Sequence, residues 1–131
     1  MDVSFVRDAS RVSQARRIGT AWLRNACRMP EARVDSAEVV ISEFVSNAIV
    51  HGTSDAVGLR MRRVGDEVCL EVDDGSPSEA PRPRRAGAEA EQGRGLWLVD
   101  ALVAELGGSW GFTDDSTIAW CVFPMNGSRA A

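Results

Sequence analysis

The chain has 131 residues, 44% hydrophobic and 26% charged, which suits one globular domain and excludes disordered, collagen-like and polytopic membrane architectures. All 15 basic residues are arginine, so a P-loop lysine, a Schiff-base lysine and a lysine general base are excluded. A formal net charge of −4 disfavours direct binding to nucleic acid or to an acidic membrane.

The charged stretch Met1–Arg11 has no apolar core of the kind a secretion signal carries. No apolar run approaches the roughly 20 residues of a spanning helix, so a cytoplasmic location is expected. Asp8–Arg28 reads as an amphipathic helix, with Val12, Ala15, Ile18, Gly19, Trp22, Leu23 and Ala26 at helical spacing and Pro30 beyond its end. A second helix is expected over Ala32–Val50. Its apolar stripe is Val34, Ala37, Ile41, Phe44, Val45 and Ala48, and Gly52 stands where a C-terminal cap belongs.

Two β-like runs follow, Val57–Val64 and Glu67–Asp73, joined by the hairpin signal Gly65-Asp66. Ser76–Gln92 carries Pro77, Pro81, Pro83 and the cluster Arg82/Arg84/Arg85, a loop of about 17 residues and long enough to be functional. Leu96–Leu106 reads as a third helix stopped by Gly107-Gly108, and Trp110–Thr113 with Thr117–Phe123 as a hairpin turning at Asp114-Asp115. Residues 125–131 read as a flexible tail. The order is helix, helix, hairpin, loop, helix, hairpin. Without regular βαβ alternation, it predicts an α+β two-layer sandwich with helices on one face of a mixed or antiparallel sheet. Cys27, Cys69 and Cys121 lack CxxC spacing and read as three buried reduced thiols.

Three clusters carry candidate chemistry. Glu43, Asn47 and His51 stand at i, i+4 and i+8 of the second helix, drifting by only about 80° around its axis, so they form a polar stripe beside the apolar one. Glu and Asn side by side supply oxygen ligands or a water-positioning pair for Mg²⁺ chemistry. Next, Val72-Asp73-Asp74-Gly75-Ser76-Pro77 ends a strand. Alternation puts Val68, Leu70, Val72 and Asp74 on the core face and Asp73 on the other. Third, Gly93-Arg94-Gly95-Leu96 opens a helix, where small residues let backbone N–H groups and the helix dipole approach a phosphate.

The order and spacing of these clusters resemble the nucleotide site of the ATPase superfamily that includes gyrase, heat-shock chaperones, histidine kinases and MutL. Glu43-Phe-Val-Ser-Asn47-Ala48-x-x-His51-Gly52 looks like its N box, the Asp74 turn like its first glycine box and Gly93-Arg94-Gly95-Leu96 like its second. The nearest resemblance is to small bacterial anti-sigma factor serine/threonine kinases, whose last hairpin Trp110-Gly111 and Ala119–Phe123 also resemble. The likeness extends over roughly residues 3 to 124, implying a single Bergerat-type ATP-binding domain over residues 1–124.

The resemblance implies ATP and Mg²⁺ as cofactors. Glu43 would be the catalytic base. Asn47 would hold Mg²⁺ through the phosphates, with His51 beside it, and Asp74 and Ser76 would lie at the adenine. Gly93, Arg94, Gly95 and Leu96 would surround the phosphates beneath a lid, Ser76–Gln92. The implied partners are an anti-sigma factor antagonist, phosphorylated on Ser or Thr, and a sigma factor that is sequestered, with no direct nucleic acid and no membrane. A homodimer is admitted.

The chain departs from the family pattern at the first glycine box, where Asp74-Gly75-Ser76-Pro77-Ser78 replaces Asp-x-Gly-x-Gly. Taking Asp73 as the adenine ligand restores one glycine, Gly75, but breaks the strand phase, which favours Asp74. The loss of permissive glycines keeps a second reading open, a non-catalytic protein-binding regulator on the same fold. The catalytic domain of a split histidine kinase is a third reading, with no phosphoacceptor helix pair before it in this sequence.

Overall fold

A computed structural model describes residues 1–75 and 93–126, with only the backbone of Gly93 and Arg94. Ser76, the remainder of the expected lid and residues 127–131 lie outside the described residues. The elements are β1 (Asp2–Val6), α1 (Arg11–Asn25), α2 (Glu31–His51), β2 (Ala56–Val64), β3 (Glu67–Asp73), α3 (Gly93–Leu106), β4 (Ser109–Phe112) and β5 (Ile118–Pro124). The strands form one sheet in the order β1-β2-β3-β5-β4, with every pair antiparallel. The three helices cover one face of this sheet, the α+β two-layer architecture expected.

Each strand alternates, so one row of side chains enters the core. Phe5, Val57, Leu59, Met61, Val68, Leu70, Val72, Ala119, Cys121 and Phe123 are all buried. The register places Leu59 opposite Val72 and Leu70 opposite Cys121, so the buried row continues from strand to strand. The expected stripe of α2 is buried throughout, joined by Val40 and by Asn47. Gly19 lets α1 close on this helix: a Cβ there would stand 2.7 Å from Ile41 Cδ1 and 3.5 Å from Met61 Sδ. Phe44 and Trp110 tilt together at 6.0 Å between ring centroids, and Trp110 Nε1 donates to Asp100 Oδ1 at 3.1 Å, which ties α2, α3 and β4 into the same core.

Several expectations are corrected. The fold begins with a strand, not a helix: β1 alternates Asp2 and Ser4 outward with Val3 and Phe5 inward, a signal hidden by its shortness and its charged flanks. Helix α1 starts at Arg11, not Asp8, because Asp8 to Ser10 form a turn whose Asp8 carbonyl accepts from Arg11 N–H at 2.9 Å. It ends before Arg28, which adopts the left-handed φ of 52°. Helix α3 begins at Gly93 rather than Leu96, so the Gly-Arg-Gly segment is its first turn. Cys69 is half-buried rather than buried. Met125 is also buried, donating its N–H to Asp66 O at 2.8 Å, so the chain is held one residue beyond Pro124.

Arg33 makes a staple at the end of the molecule opposite the α2 C-terminus. Its guanidinium donates to Leu106 O at 2.8 Å and to the carbonyls of Pro124 and Met125. The terminal carbonyl of α3 and the end of β5 thereby find a donor inside the protein. No described helix is long and apolar enough to cross a membrane.

Candidate functional site

The site is built where the C-terminal half of α2 meets the end of β3 and the start of α3. Asn47 is 5% exposed among Phe44, Val45 and Ala48, where an amide costs helix propensity and needs polar company. Glu43, one turn earlier, is half-buried. His51 is the last residue of α2 and is also half-buried.

Gly52 is extended, with φ −73° and ψ 156°, and is not the left-handed cap its sequence position suggests. Its small size is needed for another reason. A Cβ at Gly52 would stand 2.6 Å from Ala48 O, 2.8 Å from Asp74 O and 3.2 Å from Asp74 Cβ. The residue therefore lets the end of α2 lie directly against Asp74.

Asp74 is 1% exposed and continues the buried row Val68, Leu70, Val72, as strand phase requires. Its N–H donates to Thr117 O at 2.9 Å. Asp73 turns to the opposite face, where its Oδ1 accepts from Gly75 N–H at 2.9 Å. Gly75 then takes a φ of +77°, open to glycine at little cost. Arg7 holds the connector between α2 and β2, donating from Nε to Ser54 O at 2.6 Å and from Nη1 to Ile49 O at 3.0 Å.

Sequence reasoning missed Thr117. It is buried and its carbonyl anchors Asp74. The signal was present: Thr117 is in period-2 phase with Ala119, Cys121 and Phe123, which puts a hydroxyl on the core face. Asp115 fixes it, its Oδ1 accepting from Thr117 Oγ1 at 2.8 Å, Thr113 Oγ1 at 2.9 Å and Thr117 N–H at 3.1 Å. These bonds, the Thr117 N–H first, hold the Asp115 carboxyl below its ordinary range.

From the other side, the first turn of α3 comes onto α2. A Cβ built at Gly95 would collide with Glu43 Oε1 and stand 3.1 Å from Glu43 Cδ. The carboxylate of one cluster thus touches the glycine of another, 52 positions away by the difference of their numbers. Leu96 follows, half-buried. The structure brings Glu43 to Gly95, and Asp74 to Gly52 and Thr117, with Asn47 on the helix between. Ser76 and the side chain of Arg94 lie outside the described residues.

The family model described as "Histidine kinase-like ATPase domain" matches residues 5–118, which include Glu43, Asn47, Asp74 and Gly95. The chain belongs to this family. No curated protein matches it. Among solved structures, it is similar to the histidine kinase domain of the blue-light activated histidine kinase from Erythrobacter litoralis EL346, at 24% identity and a TM-score of 0.59, over 73% of this chain and 46% of that one. That likeness supports the histidine kinase-like ATPase fold, and the chain spans just under half of that solved protein's length.

Within a domain of this family the pocket chemistry can be tested on the residues present. Gly95 lets the Glu43 carboxylate lie against the first turn of α3, where any side chain would collide with it, Asp74 is an acceptor 1% exposed, and Asn47 carries a neutral oxygen one turn after Glu43 on α2. This donor set fits an adenine nucleotide whose phosphates are accompanied by a hard cation.

Proposed function

We propose that the chain is an ATP-binding regulator of the anti-sigma factor kinase kind, which phosphorylates a serine or threonine of an antagonist protein and sequesters a sigma factor. The contact of Gly95 with the Glu43 carboxylate supports this reading most, since it sets a base at the mouth of a helix N-terminus suited to phosphate. Residues 1–124 form the ATP-binding unit, acting in the cytoplasm.

In this mechanism the Asp74 carboxylate would accept from the exocyclic amine of adenine, with Gly52 packed against Asp74 and Thr117 O holding its N–H. Asn47 would hold Mg²⁺, which would supply charge neutralisation to a bound triphosphate, with His51 beside it at the end of the helix. Gly93, Arg94, Gly95 and Leu96 would present backbone N–H groups and the positive end of α3 to the phosphates, while the role of Ser76, outside the described residues, at the adenine rests on the resemblance alone. Glu43 accepts the proton of the incoming hydroxyl. Mg²⁺, when bound, neutralises charge that a lysine supplies in other nucleotide sites. Phosphoryl transfer rests largely on such positioning and charge neutralisation.

The test has two parts. Calorimetric titration with Mg·ATP measures binding, expected in the wild type, weakened by Asp74→Asn and unaffected by Asp73→Asn. Labelled ATP with a candidate antagonist measures transfer, expected to fall by about 10²–10⁴-fold in Glu43→Gln with ATP binding kept. Absence of nucleotide binding supports the second reading, a non-catalytic regulator acting by protein contact, which the Ser76-Pro77 replacement of the glycine box favours.

A further inference from the structure

Strand β2 holds a glycine that the fold does not require. Apart from Gly93, the other described glycines have a steric or a backbone reason: a Cβ would press closely on a neighbour at Gly19, Gly52, Gly75, Gly95, Gly108 and Gly111, while Gly65 and Gly107 have positive φ. Gly58 has neither. A Cβ there would meet Asp73 Cβ at 3.8 Å and Val3 O at 4.0 Å, which is ordinary contact. Glycine weakens a strand interior and is often found where another group approaches the backbone closely.

On the face of the sheet away from the helices, Gly58 pairs with Ser4 on one side and Asp73 on the other. Two interstrand steps separate these flanks by about 10 Å. A shallow groove of about 260 Å³ passes over Gly58, with Ala56 and Gly75 at one end. Asp2 and Arg60, paired one rung further along, complete its walls.

The charges are unevenly balanced. Arg60 turns to Glu71, with Nη2 and Nε at 2.9 and 3.0 Å from Oε1. The Met1 ammonium turns to Met61 O at 2.9 Å. Asp73 gives one oxygen to Gly75 N–H. The Asp2 carboxylate has no ion pair among the described residues.

We propose that this groove receives an arginine side chain of a partner protein, its guanidinium lying flat on the Gly58 backbone between the Asp2 and Asp73 carboxylates. The planar, forked donor suits both the flat floor and the carboxylate walls better than a compact ammonium does. This surface lies on the opposite face of the sheet from the nucleotide site, and the two adjoin at Gly75. Asp73 contributes to the groove and Asp74 to the site, on opposite faces of one strand.

The test is an amide-resolved NMR titration of the full chain, without nucleotide, with the capped tripeptide acetyl-Gly-Arg-Gly-amide and its neutral citrulline counterpart. Saturating shifts at Ser4, Gly58, Arg60 and Asp73 are expected with the arginine peptide, at least fivefold weaker with citrulline and reduced by salt. Gly58→Leu fills the groove and is expected to abolish them, and Asp73→Asn to weaken them at least threefold. Gly58→Ala is expected to raise the melting temperature, since the fold has room for the methyl group. Equal response to citrulline, shifts that survive Gly58→Leu, or a melting temperature lowered by Gly58→Ala would overturn the proposal.

Discussion

Gly95→Ala separates stability from chemistry at the site. Alanine is the better helix former by about 1 kcal/mol, so on a free helix surface the substitution would stabilise. Here the new Cβ meets the Glu43 carboxylate, the far end of a flexible side chain, so the clash is relieved by rotating Glu43 away. That rotation forfeits a carboxylate beside a helix N-terminus, worth about 0.3–1 kcal/mol, and adds rotamer strain of about 0.5–1.5 kcal/mol. The two effects nearly cancel the propensity gain, and Gly95→Ala is expected to change stability by less than about 1 kcal/mol.

In a Glu43→Ala background the obstacle is gone, and the same substitution should yield the full gain of about 1 kcal/mol. Chemical denaturation of the four proteins in this cycle gives the coupling directly, expected at about 1–2 kcal/mol. On the proposed function, phosphoryl transfer should fall in Gly95→Ala even where stability holds, because the proposed base, Glu43, would be displaced. A gain of equal size in both backgrounds would refute the reasoning, since it would mean the carboxylate and α3 do not touch.

Arg28→Gly is expected to stabilise the fold by roughly 0.5–1 kcal/mol, because the left-handed conformation that costs arginine is open to glycine, measured by denaturant titration against wild type. Asp115 is held below the ordinary carboxyl value of 3.8 by its bonds to Thr117 and Thr113, so its contribution is fully present above that value and is lost as pH falls through the lowered folded-state value. Denaturation between pH 2 and 7 should show wild type losing its advantage over Asp115→Asn only below about pH 4. The Cys121 thiol is pushed up to about 12 by burial, with Cys69 adding to the effect, and burial raises Cys27 as well. A thiol reagent at pH 8 should therefore modify only the half-buried Cys69 in the native protein and reach the other two after denaturation.

Much of the fold was legible because periodicity is a local property. The 3.6-residue stripe of α2 from Val34 to Ala48 and the period-2 row Val68, Leu70, Val72, Asp74 each record which side is buried, and both are buried as read. The Gly65-Asp66 turn likewise carries its own geometry, with Gly65 at φ 61°. β1 was lost because five residues at an edge, flanked by charge, bury only Phe5 fully. The start of α3 was misplaced because glycine carries no helix signal, yet here it is held in a first turn by its neighbours.

What the sequence by itself determined was a polar stripe with Glu43 and Asn47 beside the apolar one on the helix, and Asp74 in a core-facing strand row. Which of them meet was decided by tertiary structure alone. Gly95 lies against Glu43, Gly52 against Asp74, and Thr117 anchors the Asp74 amide, contacts between segments distant in the chain. Spacing along a chain constrains which residues share a face, but only packing sets which faces approach. The absence of a side chain at Gly52 or Gly95 acquires meaning only from the atom on the other side.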